Sequence, residues 1–336
     1  MDFLNALTAL FNYVIIPATS YGSQLALGAL GVTLIYGILR FSNFAHGDTM
    51  AFGTALTILV TWLFQSWGIT FGPLPTALLA LPFGIIGTAA LLLGTDRVVY
   101  RFYRKQKAAP VILVIVSMGV MFIMNGLTRF IIGVSDQNFA DGKRFIINAL
   151  QYRKMTGLQE GLAIRTTSVI TVVTAIIVVT LLFWFLNRTR TGKSMRAFSD
   201  NEDLALLSGI NPERVVTVTW LIVAALATIA GVLYGLDKSF SPFTYFQLLL
   251  PIFASAVVGG LGNPLGAIAG GFVIAFSEVI FTYAWKKVLG YLLPASLMPD
   301  GLVQLLGTDY KYAVSFTILV IVLLFRPTGL FKGKSV

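Results

Sequence analysis

TSVITVVTAIIVVTLLFWFLN, residues 167–187, carries no charged side chain and runs directly into Arg188 and Arg190. A helix needs about 20 consecutive apolar residues to cross the hydrocarbon core of a bilayer, so this stretch reads as a membrane span with its arginines at one interface. Comparable runs lie at about 20–39, 49–67, 74–95, 110–132 and 215–236. The last third adds a short run from Pro242 to Val258, another at about 265–284 and a final one at about 312–325. GGLGNP at 259–264 separates the first two of these and marks a broken or re-entrant helix. Residues 1–18, with Asn5, Asn12 and Pro17 among apolar neighbours, read as an interfacial helix or a short extra crossing. The expected fold class is all-α: a polytopic membrane helix bundle of eight or nine transmembrane segments with Gly-interrupted or broken helices.

Composition agrees with this. Of 336 residues, 57% are hydrophobic and only 11% charged, against about 25% charged in ordinary soluble domains, so most of the surface must meet lipid. No stretch suits a soluble domain, which makes 1–336 a single membrane domain. The net charge of +10 is spread over short loops without interleaved aromatics and is no footprint for nucleic acid. Cysteine is absent, which excludes disulfides and thiolate metal sites, and a single histidine leaves most hydrolytic schemes without a base. No catalytic set, cofactor motif or metal cluster is legible, so no enzymatic activity is expected.

The sequence Thr191-Gly192-Lys193-Ser194 imitates the end of a phosphate-binding loop, but the glycine required five residues before Gly192 is Asn187, and ATP binding is dismissed. Short loops rich in Lys and Arg face the cytoplasm. That rule places there the loop 96–109, with Arg97, Arg101, Arg104, Lys105 and Lys107, and the C-terminal tail, with Arg326, Lys332 and Lys334. Counting crossings puts 188–214 on the same side. With nine crossings the N-terminus falls outside; it has no basic segment of the kind that opens a cleaved signal peptide.

Within that cytoplasmic loop, SMRAFSDNEDLALLSGINPER at 194–214 is the longest run of polar and helix-capping chemistry in the chain. Ser199 and Glu202 have capping-box spacing, and Asp200 and Asp203 suit the positive end of a helix dipole. Gly209 supplies a left-handed residue after the last turn, and Pro212 bars continuation. Leu204, Leu206 and Leu207 give this short helix an apolar side that needs a covering partner.

Asp203-Leu204-Ala205-Leu206-Leu207-Ser208-Gly209 resembles the coupling loop of ABC importer permeases, in the degenerate form of the branched-chain amino acid (Liv-type) family. SNFAHGD at 42–48, SDNEDLALLSGI at 199–210, GGLGNPLGA at 259–267 and RPTGLF at 326–331 are similar to that family's recurrent segments and stand in the same order, so the likeness reaches from about residue 20 to the C-terminus. The resemblance implies a permease subunit in a bacterial inner membrane that forms half of a translocation path for branched-chain or other aliphatic amino acids. Its implied partners are a second homologous permease, two cytoplasmic ATP-binding subunits and a periplasmic substrate-binding protein. Coupling to the ATPase then falls to Ser199, Glu202, Asp203, Leu204, Ala205, Leu206, Leu207 and Gly209. Urea or short amides are the alternative cargo for the same machinery. A stand-alone secondary transporter or channel is the competing class, and it leaves the capped helix at 199–209 without a purpose.

Candidates for the path follow from polar residues among apolar ones. Asn43, His46 and Asp48 form a polar island in SNFAHGD, which is either an interfacial turn or a set of groups dipping into the bilayer, where charge is tolerated mainly beside water or protein partners. One histidine and one aspartate fall short of a zinc ligand set. Asn125 and Thr33 add polar groups suited to a zwitterion. Gly260, Gly262 and Asn263 expose backbone to a path if GGLGNP breaks a helix, whereas Gly262, Gly266 and Gly270 at four-residue spacing also suit close helix packing. Glu278 interrupts an apolar run and is either path-lining or a hydrogen-bonded structural acid. Arg129 reads as reaching for the outer face, and Asp237 with Lys238 as a solvated turn.

Overall fold

A computed structural model describes residues 1–139, 141–294, 301 and 303–331; Lys332 and Lys334, expected in a cytoplasmic tail, lie outside the described residues. Among the described residues, nine helical stretches are long and apolar enough to cross a membrane. They are α1 (Asp2–Leu39), α2 (His46–Ser66), α3 (Ala77–Lys105), α4 (Pro110–Ile132), α6 (Thr166–Arg188), α9 (Pro212–Lys238), α10 (Pro242–Gly259), α11 (Pro264–Thr282) and α13 (Thr308–Phe325). Short elements fill the connections: β1 (Phe145–Ile147), α5 (Ala149–Thr156), β2 (Ile164–Arg165), α7 (Arg190–Asp200), α8 (Glu202–Leu207) and α12 (Lys286–Leu292). The two strands pair antiparallel as a small hairpin-like cap.

The N-terminal residues correct the expectation of a separate element. They continue into the first span as one 38-residue helical stretch. Pro17 has no N–H for the bond back to Tyr13, and the helix widens into a π turn at Phe11–Ile15 just before it. The asparagines that looked interfacial bind a loop. Asn5 Oδ1 accepts from the Gln159 and Glu160 amides at 3.0 and 3.2 Å, and Asn12 Oδ1 accepts from the Ala163 amide at 3.0 Å. Ala6 and Ala9 pack on Val288 of α12, and Lys287 pairs with Glu160 at 2.9 Å.

From Ala18 to Leu39, α1 is the buried axis of the bundle, enclosed by α6, α9, α10 and α11. Small residues permit that enclosure: a Cβ on Gly28 would sit 2.8 Å from Ile252 Cδ1, and one on Gly271 would sit 2.7 Å from the Ala26 amide nitrogen. The outer faces of α4 and α6 carry the exposed apolar load, with Phe122 at 71% and Ile176 at 61% exposure, as lipid-facing helices should.

GGLGNP is the turn between two full-length spans and not a break inside one. Gly260 and Gly262 take φ of +111° and +81°, and Asn263 caps α11 by accepting from the Gly266 amide at 3.2 Å. Gly262 therefore lies outside the helix and off the expected glycine face. The packing face is made by Gly259, Gly266 and Gly270, where a Cβ on Gly270 would lie 2.8 Å from the Gly259 nitrogen. RPTGLF closes over this turn: the Leu330 and Phe331 amides donate to the Val258 and Gly259 carbonyls at 2.8 and 3.3 Å, and Asn263 Nδ2 donates to the Phe331 carbonyl at 2.7 Å.

Candidate coupling knob and polar centre

Thr189 ends α6 and its hydroxyl accepts from the Gly192 amide at 3.0 Å, which starts α7 and places the phosphate-loop imitation at 191–194 inside an amphipathic helix. The next helix, α8, is capped by Asn201, whose Oδ1 accepts from the Leu204 amide at 3.0 Å. The capping box expected from Ser199 and Glu202 is thus displaced. The polar run holds two helices meeting at Asn201, and Ser199 belongs to the last turn of the first, with its carbonyl bound by the Arg40 guanidinium. The stop is where the sequence placed it. Gly209 has φ of +78°, its amide donates to the Leu206 carbonyl at 3.0 Å, and the Ile210 amide donates to the Ala205 carbonyl at 3.1 Å. These two bonds are a Schellman motif. Ala205 is 3% exposed and seats α8 on the body, while Leu204, Leu206 and Leu207 are 61%, 43% and 84% exposed beside the acidic first turn of Glu202 and Asp203.

Beneath α7 lies a cleft of about 560 Å³. It brings together Thr33, Ser199, Gly262 and Asn263 with Asn187 and Arg196, none of the last two singled out from sequence as path residues. Gly260 instead packs under Gly329. The GGLGNP turn thus faces the same cavity as the α7 end of the 194–214 segment.

The polar island sits inside the bundle. Leu39 ends α1, yet the His46 ring lies against Gly31, where an added Cβ would be 3.0 Å from Nε2. Eight residues at 1.5 Å rise make that about 12 Å back from the helix end. The chain therefore folds back into the bundle before α2 begins, and only the missing side chain at Gly31 leaves room for the imidazole. His46 and Asp48 are fully buried. Asp48 accepts from Asn125 Nδ2 at 2.6 Å through one oxygen; its other oxygen and both His46 ring nitrogens complete no hydrogen bond of good geometry. Asn43 Oδ1 accepts from the Ala45 amide at 3.1 Å and from the Tyr100 hydroxyl at 3.2 Å.

Tyr100 belongs to a cluster that sequence reasoning missed. Asp96, Tyr100 and Arg104 recur every four residues on one face of α3, a spacing that was legible. Asp96 is paired with Arg104 and accepts from Trp220 Nε1 at 2.8 Å, and the Trp220 and Tyr100 rings stack at 5.4 Å. Arg101 pairs with Glu213 at 3.3 Å. The polar centre is thereby joined to the start of α9, the helix that follows α8.

Glu278 is separate from these groups. It is 2% exposed, accepts from the Ser315 hydroxyl, and lines a small cavity at the end of the bundle opposite α8. Arg129 is exposed, and Asp237, read as part of a solvated turn, is largely buried at the end of α9 and pairs with Arg165 at 3.9 Å. Among the described residues no group of three or more His, Asp or Glu is placed to hold a metal ion.

Residues 14–323 match the family described as "Branched-chain amino acid transport system / permease component". The chain is 30% identical over 343 residues to the high-affinity branched-chain amino acid transport system permease protein LivH of Escherichia coli K12, covering 100% of this chain and 98% of that one. It is 28% identical over 336 residues to the permease protein BraD of Pseudomonas aeruginosa, covering 97% and 98%. Among solved structures, a chain of PsaBC from Streptococcus pneumoniae in complex with Fab aligns with a TM-score of 0.48 at 12% identity over 97% of this chain and 96% of that one.

Proposed function

The chain belongs to the branched-chain amino acid transport system permease family, and on that premise we propose that it imports branched-chain amino acids as one half of a pore driven by separate ATPase subunits. The observation that carries the coupling part of this reading is α8: a six-residue helix anchored by Ala205, closed by Gly209, and displaying three leucines away from the body. A membrane protein gains nothing from solvated leucines, and an apolar groove on a partner would cover them. The acidic first turn then calls for a basic rim on that groove.

In this reading α8 is a lever. A push on it passes into α7, pinned by Arg40 at Ser199, and into α9, which packs along α1, α2 and α3. The end bearing α8 and the C-terminus faces the cytoplasm and the N-terminus faces outside, following the basic loop 96–109. Thr33, Gly262 and Asn263 line the inner mouth, and Asn43, His46, Asp48 and Asn125 brace the centre. A second homologous permease, two ATP-binding subunits and a secreted binding protein complete the assembly.

The test is uptake of labelled leucine by proteoliposomes holding the assembled complex. Uptake should require ATP and the ATPase subunits, and Leu207→Asp should detach those subunits during purification. Uptake by this chain alone, or full retention of the subunits by Leu207→Asp, would overturn the reading.

A further inference from the structure

At the end opposite α8, a cavity of about 120 Å³ opens among α1, α9, α11 and α13. Its wall carries groups of both charges: the Glu278 carboxylate, the Lys238 and Lys311 ammonium groups, and the Tyr21 and Tyr234 hydroxyls. Lys238, with its side chain 55% exposed, stands toward solvent, while Tyr21, Tyr234 and Glu278 are each at most 9% exposed. One Glu278 oxygen is taken by Ser315. The other oxygen and the Tyr21 hydroxyl are buried and complete no hydrogen bond of good geometry. Neither lysine closes an ion pair on Glu278; Lys238 pairs at 4.0 Å with Asp237 instead.

A buried carboxylate oxygen without a donor is costly, so the free Glu278 oxygen calls for a donor that the protein does not supply. Glu278 and the two lysines line one cavity without pairing to each other, the Lys311 ammonium lying over the Tyr312 ring at 4.6 Å, which suits a guest that carries both charges. The cavity has room for a Cα with its ammonium and carboxylate, and it opens to one side where a side chain can remain.

We propose that this cavity holds the zwitterionic head of an amino acid, with the ammonium on Glu278 and the carboxylate toward Lys311 and Lys238. The side chain stays in the mouth, beside Pro17 and Val279. The assignment rests on the import reading and deepens it: on the proposed orientation this is the side from which substrate arrives, and it is the head, not the side chain, that the permease reads.

The experiment is equilibrium binding of tritiated leucine to the permease assembled with its ATPase subunits in lipid nanodiscs, without binding protein. Binding should saturate and be competed by alanine, but not by isovalerate or isoamylamine, each of which carries one charge. Glu278→Gln and Lys311→Met should weaken binding at least tenfold, and Lys238→Met, at an exposed position, severalfold. Absence of saturable binding, wild-type binding by all three variants, or competition by isovalerate equal to that by alanine would overturn the assignment. The import reading is scored separately. ATP-driven leucine uptake unchanged in Glu278→Gln and Lys311→Met sinks the cavity and leaves import standing; a complex that binds leucine with these preferences but never imports it sinks import and leaves the cavity.

Discussion

Replacing Gly209 with valine should uncouple the permease without unfolding it. Nothing lies within 4 Å of the position a Cβ would occupy there, so crowding plays no part and the perturbation is confined to the backbone. At φ of +78° an L-residue is strained by about 1–2 kcal/mol, more for a β-branched one. Escaping to negative φ breaks the Gly209-to-Leu206 and Ile210-to-Ala205 bonds, at 3.0 and 3.1 Å, each contributing about 1 kcal/mol when made. Either route costs about 2 kcal/mol, enough to change the folded-to-unfolded ratio of so short an exposed helix by about 30-fold. The spans keep their apolar surfaces, so membrane insertion and monodispersity should not change. The assay is the ratio of leucine imported to ATP hydrolysed by the reconstituted complex, across Gly209, Gly209→Asn, Gly209→Ala and Gly209→Val. Asparagine tolerates the left-handed region best among these substitutions, so coupling should fall in that order. Wild-type coupling in the valine variant, or an asparagine variant as poor as valine, would refute the argument from φ.

Further outcomes follow from other contacts. Gly270→Val should separate α10 from α11, because its Cβ would lie 2.8 Å from the Gly259 nitrogen; a lowered melting temperature in detergent checks this. Asn125→Ala removes the 2.6 Å donor to a fully buried Asp48 and should destabilise by about 1–3 kcal/mol, whereas Asn125→Asp should be worse because it adds a second carboxylate. Outside the spans, Glu160 is pushed up by burial but held below its ordinary value of 4.5 by Lys287 and Tyr291, which bind its carboxylate. A depressed carboxylate contributes fully above its ordinary value and loses that contribution as pH falls below it, through the lower folded value. The same pairing raises Lys287, against its own desolvation, so its share is complete below 10.5 and fades above. Hydrogen exchange of residues 2–10 should therefore quicken as pH is lowered below 4.5, after correction for the intrinsic rate, and Lys287→Met should abolish that step; a step that persists in the variant would assign it elsewhere.

The spans were legible because nothing but apolar runs of that length survives in a bilayer, and the stop of α8 was legible because glycine before a nearby proline has few other uses. Depth was not legible. SNFAHGD reads the same whether it turns at the interface or folds back inside, and the deciding residue, Gly31, lies in a different helix and acts by having no side chain. The α8 cap was misplaced for a related reason: Ser199 and Asn201 are both good caps, and the choice falls to Asn201 because Arg40, far away in sequence, binds the Ser199 carbonyl as part of the preceding helix. Asn5 and Asn12 looked like interfacial residues until the loop at 159–163 supplied amides for them. In each instance a pairwise fit between distant segments settled what local chemistry left open.

Relative strengths indicate how a force on α8 would travel inward. The ion pair nearest to it, Arg101 with Glu213, joins side chains 35% and 46% exposed, and such pairs contribute well under about 1 kcal/mol. It cannot by itself oblige α3 to follow α9. The contact one layer deeper is of another kind. Trp220 is fully buried, its indole N–H is bound by Asp96, its ring lies on Tyr100, and the Tyr100 hydroxyl reaches Asn43 at the start of the polar island. If α9 moved without α3, the buried Trp220 N–H would be left unpaired in a dry interior, at about 1–3 kcal/mol, and the ring stack on Tyr100 would be lost with it. Because the Tyr100 hydroxyl ties the loop at Asn43 to α3 in the same way, α3, α9 and the loop before α2 move most cheaply as one body. Flexibility is then left to the α6–α7 junction at Thr189 and to the glycine turn at 260–262, the two places bordering the inner cleft where the helical backbone is already interrupted.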